Sequence, residues 1–570
     1  MIIDDKTLRE YKVQLQQSIV VCSERCLFYS SKWAAEVLDG IRKDILEDKE
    51  SFTNNEPQLV SAYQIPYEAS LPPLSEYEYN KYQYAKSLFQ IRQFDSVKDV
   101  LGNSKSPKLY FLRLYAKYLA GEKKREELSQ EIFGVTEDTK ADNLELNSIF
   151  EELSEDHSKG NLDAFGLYLY GIVLRKRNSG FQAAAILLES IRKFQYNWSA
   201  WMELALLVQN NKMFMDLQVL VNREFDGSAI KDFFLAKLCI DLHQPRPVFA
   251  AIMEPLTACF PHSAYVKSQW AVLYYDTMDY NESLLMFEEL RRAFPSRLED
   301  MDVFSNLLYL QDSKDKLCVL ALDCDKIDKY RPETCCVRAN YHSVKREVPE
   351  SIEYFKRALK LNRSYHLAWT LLGHDYIELK NTNAAIECYR RAVGVNSRDY
   401  RAWYGLGQAY EVRKFPYDAI YYYQKATDLR PYDARMWRAL ANCYQTLQQD
   451  DEARDCYKRA AACDKTGKNL AMVQLGRIFE KMGRMSVAID YYHTVWEQAR
   501  YNRINDELAE ICLVLARYAI SKHRYKDAEE YAVSALNTIH PYHEQARVML
   551  DEIKIFKEMS RQSQSAAPTS

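Results

Sequence analysis

Glycine and proline are scarce in this sequence, with 16 of each among 570 residues, which is well below ordinary usage. Glycine-rich phosphate-binding loops are therefore not expected. The GLG triplet at 405–407 lies inside a helical pattern, and the GKN triplet at 467–469 lacks the remainder of a P-loop. The HExxH and GxSxG motifs are also absent. The sequence thus offers no recognisable nucleotide-binding or hydrolytic centre.

The chain also lacks a charge excess and a long apolar run. It has 76 basic and 80 acidic residues, for a formal net charge of −4, which argues against binding nucleic acid or an anionic membrane through bulk charge. No apolar stretch reaches membrane-spanning length, and the N-terminus does not resemble a secretory signal. We therefore expect a soluble intracellular chain.

Cysteine and histidine usage predicts no metal site. The 13 cysteines are scattered and form no paired CxxC motif, so we expect buried thiols in a reducing compartment. His540 and His543 flank Pro541, but the proline breaks the helix and no third ligand is evident. No metal and no other cofactor are predicted.

A period of 34 residues is present at the centre of the chain. Trp369, Trp403 and Trp437 recur at this interval. Each is followed by Leu at +3, Gly or Ala at +4, Tyr at +7, Ala at +16, Tyr at +20 and Ala at +23. This pattern is typical of the tetratricopeptide repeat, in which each unit is two antiparallel helices. Related frames before and after the central three predict an all-α, superhelical solenoid of helix-turn-helix units.

The spacing has a physical cause. Offsets 0, +3 and +7 fall on one face of a helix. A small residue at +4 lets the second helix of the unit pack closely, and the Ala at +16 marks the point where the two helices cross. No unit can bury its apolar stripe alone, so the units must stack.

Five segments follow from this pattern. We predict an N-terminal helical segment at 1–46, a loop at 47–74, N-terminal repeats at 75–330, C-terminal repeats at 331–558 and a disordered tail at 559–570.

Two segments outside the regular repeats need interpretation. The acidic run at 151–156 is interpreted as a solvated loop. The apolar stripes of 1–46, which include Trp33, do not fit the 34-residue frame. They either pack on the first repeats or form a dimerisation segment.

The first helix of each unit is expected to line the inner surface of the solenoid. We predict a peptide-binding groove there, formed by Asn340, His374, Glu378, Tyr404, Gln408, Glu411, Arg438 and Asn442. The amides recur once per repeat and suit the backbone of an extended peptide. Glu378 and Glu411 suit an arginine of that peptide, and Tyr404 offers an aromatic wall. The alternative is an ordinary solvated surface.

A chaperone-adaptor function is disfavoured. Repeats that hold a C-terminal carboxylate place Lys and Arg at inner positions, but the residues that follow the Trp position here are Cys336, Thr370, Tyr404 and Arg438. Only the last is basic. No domain-sized segment is left for a catalytic domain, so we predict that the chain is not an enzyme.

Several stretches go beyond the repeat pattern, because they include surface and inter-repeat residues. They are SKWAAE at 31–36, MDVFSNLLY at 301–309, IDKYR at 327–331, ETCCV at 333–337, YFKRALKLN at 354–362, AWTL at 368–371 and RDYRAWYGLGQ at 398–408. Over most of 6–465 the chain resembles the family of subunit eight of the anaphase-promoting complex (cyclosome), a ubiquitin ligase.

The resemblance implies a scaffold in cell-cycle ubiquitination, present in nucleus and cytoplasm. Such subunits form homodimers through their N-terminal repeats and stack with related repeat subunits. Their C-terminal repeats receive a short basic motif, the C box, of an activator protein. A repeat scaffold of another multi-subunit assembly remains the alternative.

Overall fold

The computed structural model describes residues 5–42, 66–128, 143–464, 470–499, 506–536 and 542–565. Its regular elements are α-helices, and these ranges contain no strand. No helix in them is long and apolar enough to cross a membrane. The predicted all-α repeat architecture is confirmed.

Two compact units make up the chain. Unit 1 comprises Met1–Leu379 with Val395–Arg398, and unit 2 comprises Lys380–Gly394 with Asp399–Ser570. The change from one unit to the other falls within the repeat of Trp369.

The helices of unit 1 run as follows: α1 Asp5–Glu24, α2 Phe28–Asp39, α3 Pro66–Ala69, α4 Glu76–Gln90, α5 Phe94–Leu101, α6 Pro107–Leu128, α7 Glu145–Ser158, α8 Ala164–Lys176, α9 Gly180–Lys193, α10 Trp198–Leu207, α11 Asn211–Glu224, α12 Ala229–Asp241, α13 Arg246–Cys259, α14 Ala264–Asp276, α15 Tyr280–Ala293, α16 Met301–Leu310, α17 Lys314–Asp328, α18 Pro332–Val344, α19 Val348–Leu361 and α20 His366–Glu378. From α8 onward they alternate as first and second helices of successive repeats.

The helices of unit 2 continue the series: α21 Thr382–Val395, α22 Tyr400–Val412, α23 Pro416–Leu429, α24 Ala434–Thr446, α25 Asp450–Cys463, α26 Leu470–Lys481, α27 Met485–Ala499, α28 Asp506–Ser521, α29 Tyr525–Leu536 and α30 Tyr542–Ser565.

In many repeats the turn between the two helices uses a left-handed residue that is not glycine, although Gly483 takes this place between α26 and α27. The φ angles are positive at Met278, Asp312, Arg346, Lys414 and Gln448, each separated from the next by one or two periods of 34 residues. A left-handed residue just past a helix end satisfies the last carbonyls, as when the N–H of Arg346 donates to the carbonyl of Ser343 at 2.9 Å. The scarcity of glycine therefore does not mean a scarcity of tight turns.

The interpretation of the acidic run 151–156 as a loop is wrong. It lies within α7, where Ile149 and Leu153 are fully buried. Two of its acids contact α6: Asp156 accepts a hydrogen bond from the Tyr110 hydroxyl at 2.6 Å, and Glu152 pairs with an arginine of that helix. Cross-helix partners make this charge run compatible with a packed helix.

Two other irregular segments are partly helical. Most of the predicted loop at 47–74 lies outside the described residues, but Pro66–Ala69 forms a helical turn. The predicted disordered tail at 559–570 is helical as far as Ser565, and 566–570 lies outside the described residues.

The N-terminal helices α1 and α2 pack on repeats of their own chain. The indole of Trp33 stacks on that of Trp198, with ring centroids 4.0 Å apart and planes 5° apart. Phe233 and Tyr265 meet the same indole edge-on. These three aromatics belong to α10, α12 and α14, the first helices of three successive repeats, so α2 covers the inner surface of these repeats.

Polar contacts fix the same packing. The Tyr11 hydroxyl donates to the carbonyl of Gly227 at 2.9 Å, and the Ser18 hydroxyl donates to the carbonyl of Tyr196 at 2.7 Å. Lys32 pairs with Glu299 at 2.9 Å. The apolar stripes of 1–46 are therefore used within the chain, which supports the first of the two alternatives.

A buried cation lies at the junction of α1 and α2. The Arg25 side chain is fully buried, pairs with Glu68 of α3 and approaches Asp163 to 3.9 Å. Its guanidinium lies 4.2 Å from the ring centroid of Phe165. Because a buried charge without partners is costly, this cluster holds α3 and the start of α8 to the N-terminal helices.

Removing the central indole should loosen unit 1. We expect Trp33→Ala to lower the free energy of unfolding by about 3–5 kcal/mol, because it leaves a large cavity in a closely packed aromatic cluster. Hydrogen exchange of α10 and α14 should report the loss. Tyr29→Ala on the same helix is the matched control, since Tyr29 is 71% exposed. Equal exchange rates in the two variants would contradict the packing role of Trp33.

Candidate peptide-binding surface

In unit 2 the small residue at +4 lies under an aromatic ring from the second helix. A Cβ added to Gly407 would lie 2.5 Å from Cε1 of Tyr423, and one added to Gly476 would lie 2.2 Å from Cε1 of Tyr492. Such distances are not tolerated. The +4 residue therefore sets how closely the two helices of a repeat approach, as predicted from the spacing.

The hydroxyls of these rings reach the residue at +8, one helical turn beyond +4. The Tyr423 hydroxyl donates to the carboxylate of Glu411 at 2.7 Å, and that of Tyr492 donates to Glu480 at 3.0 Å. Burial, followed by the neighbouring carboxylate, raises the pKa of both tyrosines. Both hydroxyls thus stay protonated and act as donors.

The repeat between them carries amides in place of a carboxylate. The Tyr457 hydroxyl lies 2.5 Å from Oδ1 of Asn442 and 3.1 Å from Oε1 of Gln445. Burial raises the pKa of Tyr457 to about 12, and Arg438 opposes the shift. The same geometry therefore holds a neutral acceptor here.

The predicted groove residues of unit 2 share one surface, formed by α22 and α24. The ring of Tyr404 lies 5.4 Å from that of Tyr423. Burial raises the pKa of Tyr404, while Arg435, Glu411 and Arg438 add smaller electrostatic effects. Gln408, Glu411 and Asn442 are exposed. We call Tyr404, Gln408, Glu411, Arg438 and Asn442 the inner surface of unit 2.

In unit 1 Asn340 does not face a groove. It is 3% exposed, and its amide nitrogen donates to the hydroxyl of Ser305 at 2.7 Å and to Oδ1 of Asn306 at 2.6 Å. The expectation that this amide is available to a peptide is not met, because it already bridges two neighbouring repeats.

The other two predicted residues of unit 1 lie on α20. Glu378 is exposed and His374 is half-buried. Between them Asp375 is buried, accepting hydrogen bonds from Ser351 at 2.5 Å and from Ser343 at 3.3 Å. Burial raises the pKa of Asp375 to about 7, although the two hydroxyls oppose the shift.

Asp375, Glu480 and the tyrosine hydroxyls are not predicted from the sequence. Glu480 could have been found, because it stands eight residues after Met472, which occupies the Trp position of its repeat. Among the described residues, no group of three or more His, Cys, Asp or Glu side chains is arranged to hold a metal ion.

Models of known protein families match parts of this chain. A family model described as anaphase promoting complex subunit 8 / Cdc23 matches residues 10–271. Three tetratricopeptide-repeat models match residues 370–434, 434–465 and 471–501. The first model covers much of unit 1, and the repeat models cover parts of the C-terminal half.

Two similar proteins align with nearly the whole chain. Anaphase-promoting complex subunit 8 of Arabidopsis thaliana is 41% identical, over 95% of this chain and 96% of its own length. The protein of the same name from Dictyostelium discoideum is 37% identical, over 98% of this chain and 100% of its own. A chain in the crystal structure of the APC/C hetero-tetramer Cut9-Hcn1 is 16% identical, with a TM-score of 0.48, over 84% of this chain and 96% of that one.

The buried carboxyl of Asp375 should make stability depend on pH. Its folded pKa of about 7 lies above the ordinary value for Asp, near 3.9, so its contribution is fully present below about pH 4 and is lost as pH rises through about 7. We expect wild type to lose on the order of 2 kcal/mol more between pH 5 and pH 8 than Asp375→Asn. Chemical denaturation at several pH values measures this.

Asp418→Asn is the control, because Asp418 is exposed on α23. It should keep the pH dependence of the wild type. If Asp375→Asn kept it as well, the ionisation of Asp375 would not be its source.

Proposed function

The chain belongs to the family of anaphase-promoting complex subunit 8, and from this premise we propose that it is a non-catalytic scaffold subunit of that ubiquitin ligase. Similarity to relatives over nearly their whole length carries the proposal. The scaffold holds other subunits of the complex and supports cell-cycle ubiquitination in nucleus and cytoplasm.

The proposal includes a peptide site on the inner surface of unit 2. An activator presents its basic C box there, with an arginine directed at Glu411. Three features support this site: Glu411 is exposed, its carboxylate is oriented by Tyr423, and Tyr404 lies beside the same ring. Charge-assisted bonds between arginine and carboxylate are strong and directional. The inner surface of α10, α12 and α14 is less suitable, because α2 covers it.

Charge reversal tests the site. We expect Glu411→Lys to lower the affinity for an arginine-containing C-box peptide by about tenfold or more, because it replaces an electrostatic attraction with a repulsion. Fluorescence anisotropy with the full chain measures the affinity. Asp428→Lys is the matched control, since Asp428 is exposed on the second helix of the same repeat. Equal peptide affinity of the two variants would show that Glu411 is not part of the binding site.

The proposal also includes a homodimer formed through the N-terminal repeats. The second helices α9 and α11 leave apolar side chains exposed: Phe181 is 92% exposed, Met215 58% and Val219 72%. Exposed apolar groups of this size mark protein contacts when they cluster. Met215 and Val219 are one turn apart on α11, so they share a face.

Introducing two negative charges on this face should separate the dimer into single chains. We expect Met215→Asp with Val219→Asp to shift the mass measured by light scattering after size exclusion from two chains to one, because buried unpaired charges are costly. Val548→Asp should leave the mass unchanged, since Val548 is an exposed apolar residue of α30 in unit 2. A dimeric double variant would place the interface elsewhere.

A further inference from the structure

One hydrogen bond recurs in three successive repeats of unit 2, and the repeat pattern alone does not require it. Phenylalanine would fill the +20 position as well as tyrosine, because the ring supplies the packing. Tyr423, Tyr457 and Tyr492 are each 2% exposed or less, yet the hydroxyl of each reaches the accessible residue at +8. A buried hydroxyl needs a partner, and here each partner lies on the first helix of its own repeat, at the position that Glu411 occupies in the proposed peptide site.

The carboxylates held in this way are not paired with a basic side chain. Among the described residues, Glu411 and Glu480 are held by neutral hydroxyls, and neither has a lysine or arginine nitrogen within 4.0 Å. Two basic residues on first helices of unit 2 are paired with other acids: Arg435 contacts Asp433 at 2.8 Å, and Arg477 contacts Glu510 at 2.9 Å. A carboxylate has acceptor capacity beyond one bond, so each glutamate can still accept from a cation.

We propose that Tyr423 and Tyr492 are positioning residues, whose hydroxyls hold Glu411 and Glu480 as two preset sites for cationic side chains of one extended peptide. Tyr457 holds amides between them, which suit the peptide backbone. This inference rests on the proposed peptide site, and it adds a second cation site at Glu480 and the groups that orient both. Holding a side chain in its binding geometry beforehand reduces the ordering cost of association.

The test combines two peptides with a set of full-length variants. One peptide is the arginine-containing C box, and the other carries neutral citrulline in place of each arginine. The variants are Tyr423→Phe, Glu411→Gln and the two together, with a parallel set of Tyr492→Phe and Glu480→Gln. Tyr531→Phe is the control, because it removes the hydroxyl of a buried tyrosine whose ring packs edge-on against Trp496.

The expected effects follow from loss of one oriented hydrogen bond. Tyr423→Phe should lower the affinity for the arginine peptide about 3- to 10-fold. It should change the affinity for the citrulline peptide by less than about twofold. In the Glu411→Gln background the same change should have no further effect. The Tyr492 and Glu480 set should behave alike, and Tyr531→Phe should bind as wild type does.

Two binding results would overturn the inference while leaving the proposed function intact. In one, Tyr423→Phe lowers the affinity for both peptides equally, as expected if Tyr423 has a purely structural role. In the other, it leaves the arginine peptide unaffected.

Thermal unfolding without peptide separates these failures from failure of the proposed function. Non-additive shifts in Tm for Tyr423→Phe and Glu411→Gln report the bond itself. If they are non-additive but wild type binds neither peptide, the proposed peptide site fails and the inference fails with it. If they are additive, the positioning contact is absent in solution and the inference alone is overturned.

Discussion

In unit 2 the distance between the two helices of a repeat depends on one contact, between an aromatic ring of the second helix and a first-helix residue with little or no side chain. Gly407 under Tyr423 and Gly476 under Tyr492 show it most clearly, because a single added carbon would overlap the ring. Ala419 and Ala488 are fully buried, as expected where two backbones cross closely. Stacking of repeats, burial of their apolar stripes and the direction of the tyrosine hydroxyls all follow from this close approach.

Each unit uses its inner surface differently. In unit 1, first helices are covered by α2, whose Trp33 contacts three of them, and polar side chains such as Asn340 are occupied between repeats. In unit 2, tyrosine hydroxyls orient exposed Glu411, exposed Glu480 and the amide of Asn442, and within the described part of the chain no lysine or arginine nitrogen lies within 4.0 Å of either glutamate. An interior filled by the chain's own helices suits a structural role, whereas an exposed and preset polar surface suits a ligand.

Periodicity predicted the helices, because apolar spacing and small residues at +4 and +16 report local packing directly. It could not predict where charged or amide side chains go. Asn340 and Asn442 hold comparable places in their repeats, but the first is buried between repeats and the second is exposed. The acidic run at 151–156 was misjudged for the same reason, since its partners come from another helix. The left-handed backbone conformation at residues such as Lys414 could not be predicted from the sequence, because the residue is not glycine.

The peptide site that we propose is the inner surface of unit 2, where an activator peptide binds. Site-specific photo-crosslinking tests it most directly, with a benzophenone amino acid placed at Gln408 on α22 or at Tyr421 on α23. Both residues are exposed and belong to one repeat, so they differ mainly in the surface they occupy. The predicted result is crosslinking of a C-box peptide from position 408 and not from position 421. Crosslinking from position 421, or equally from both, would contradict the claim.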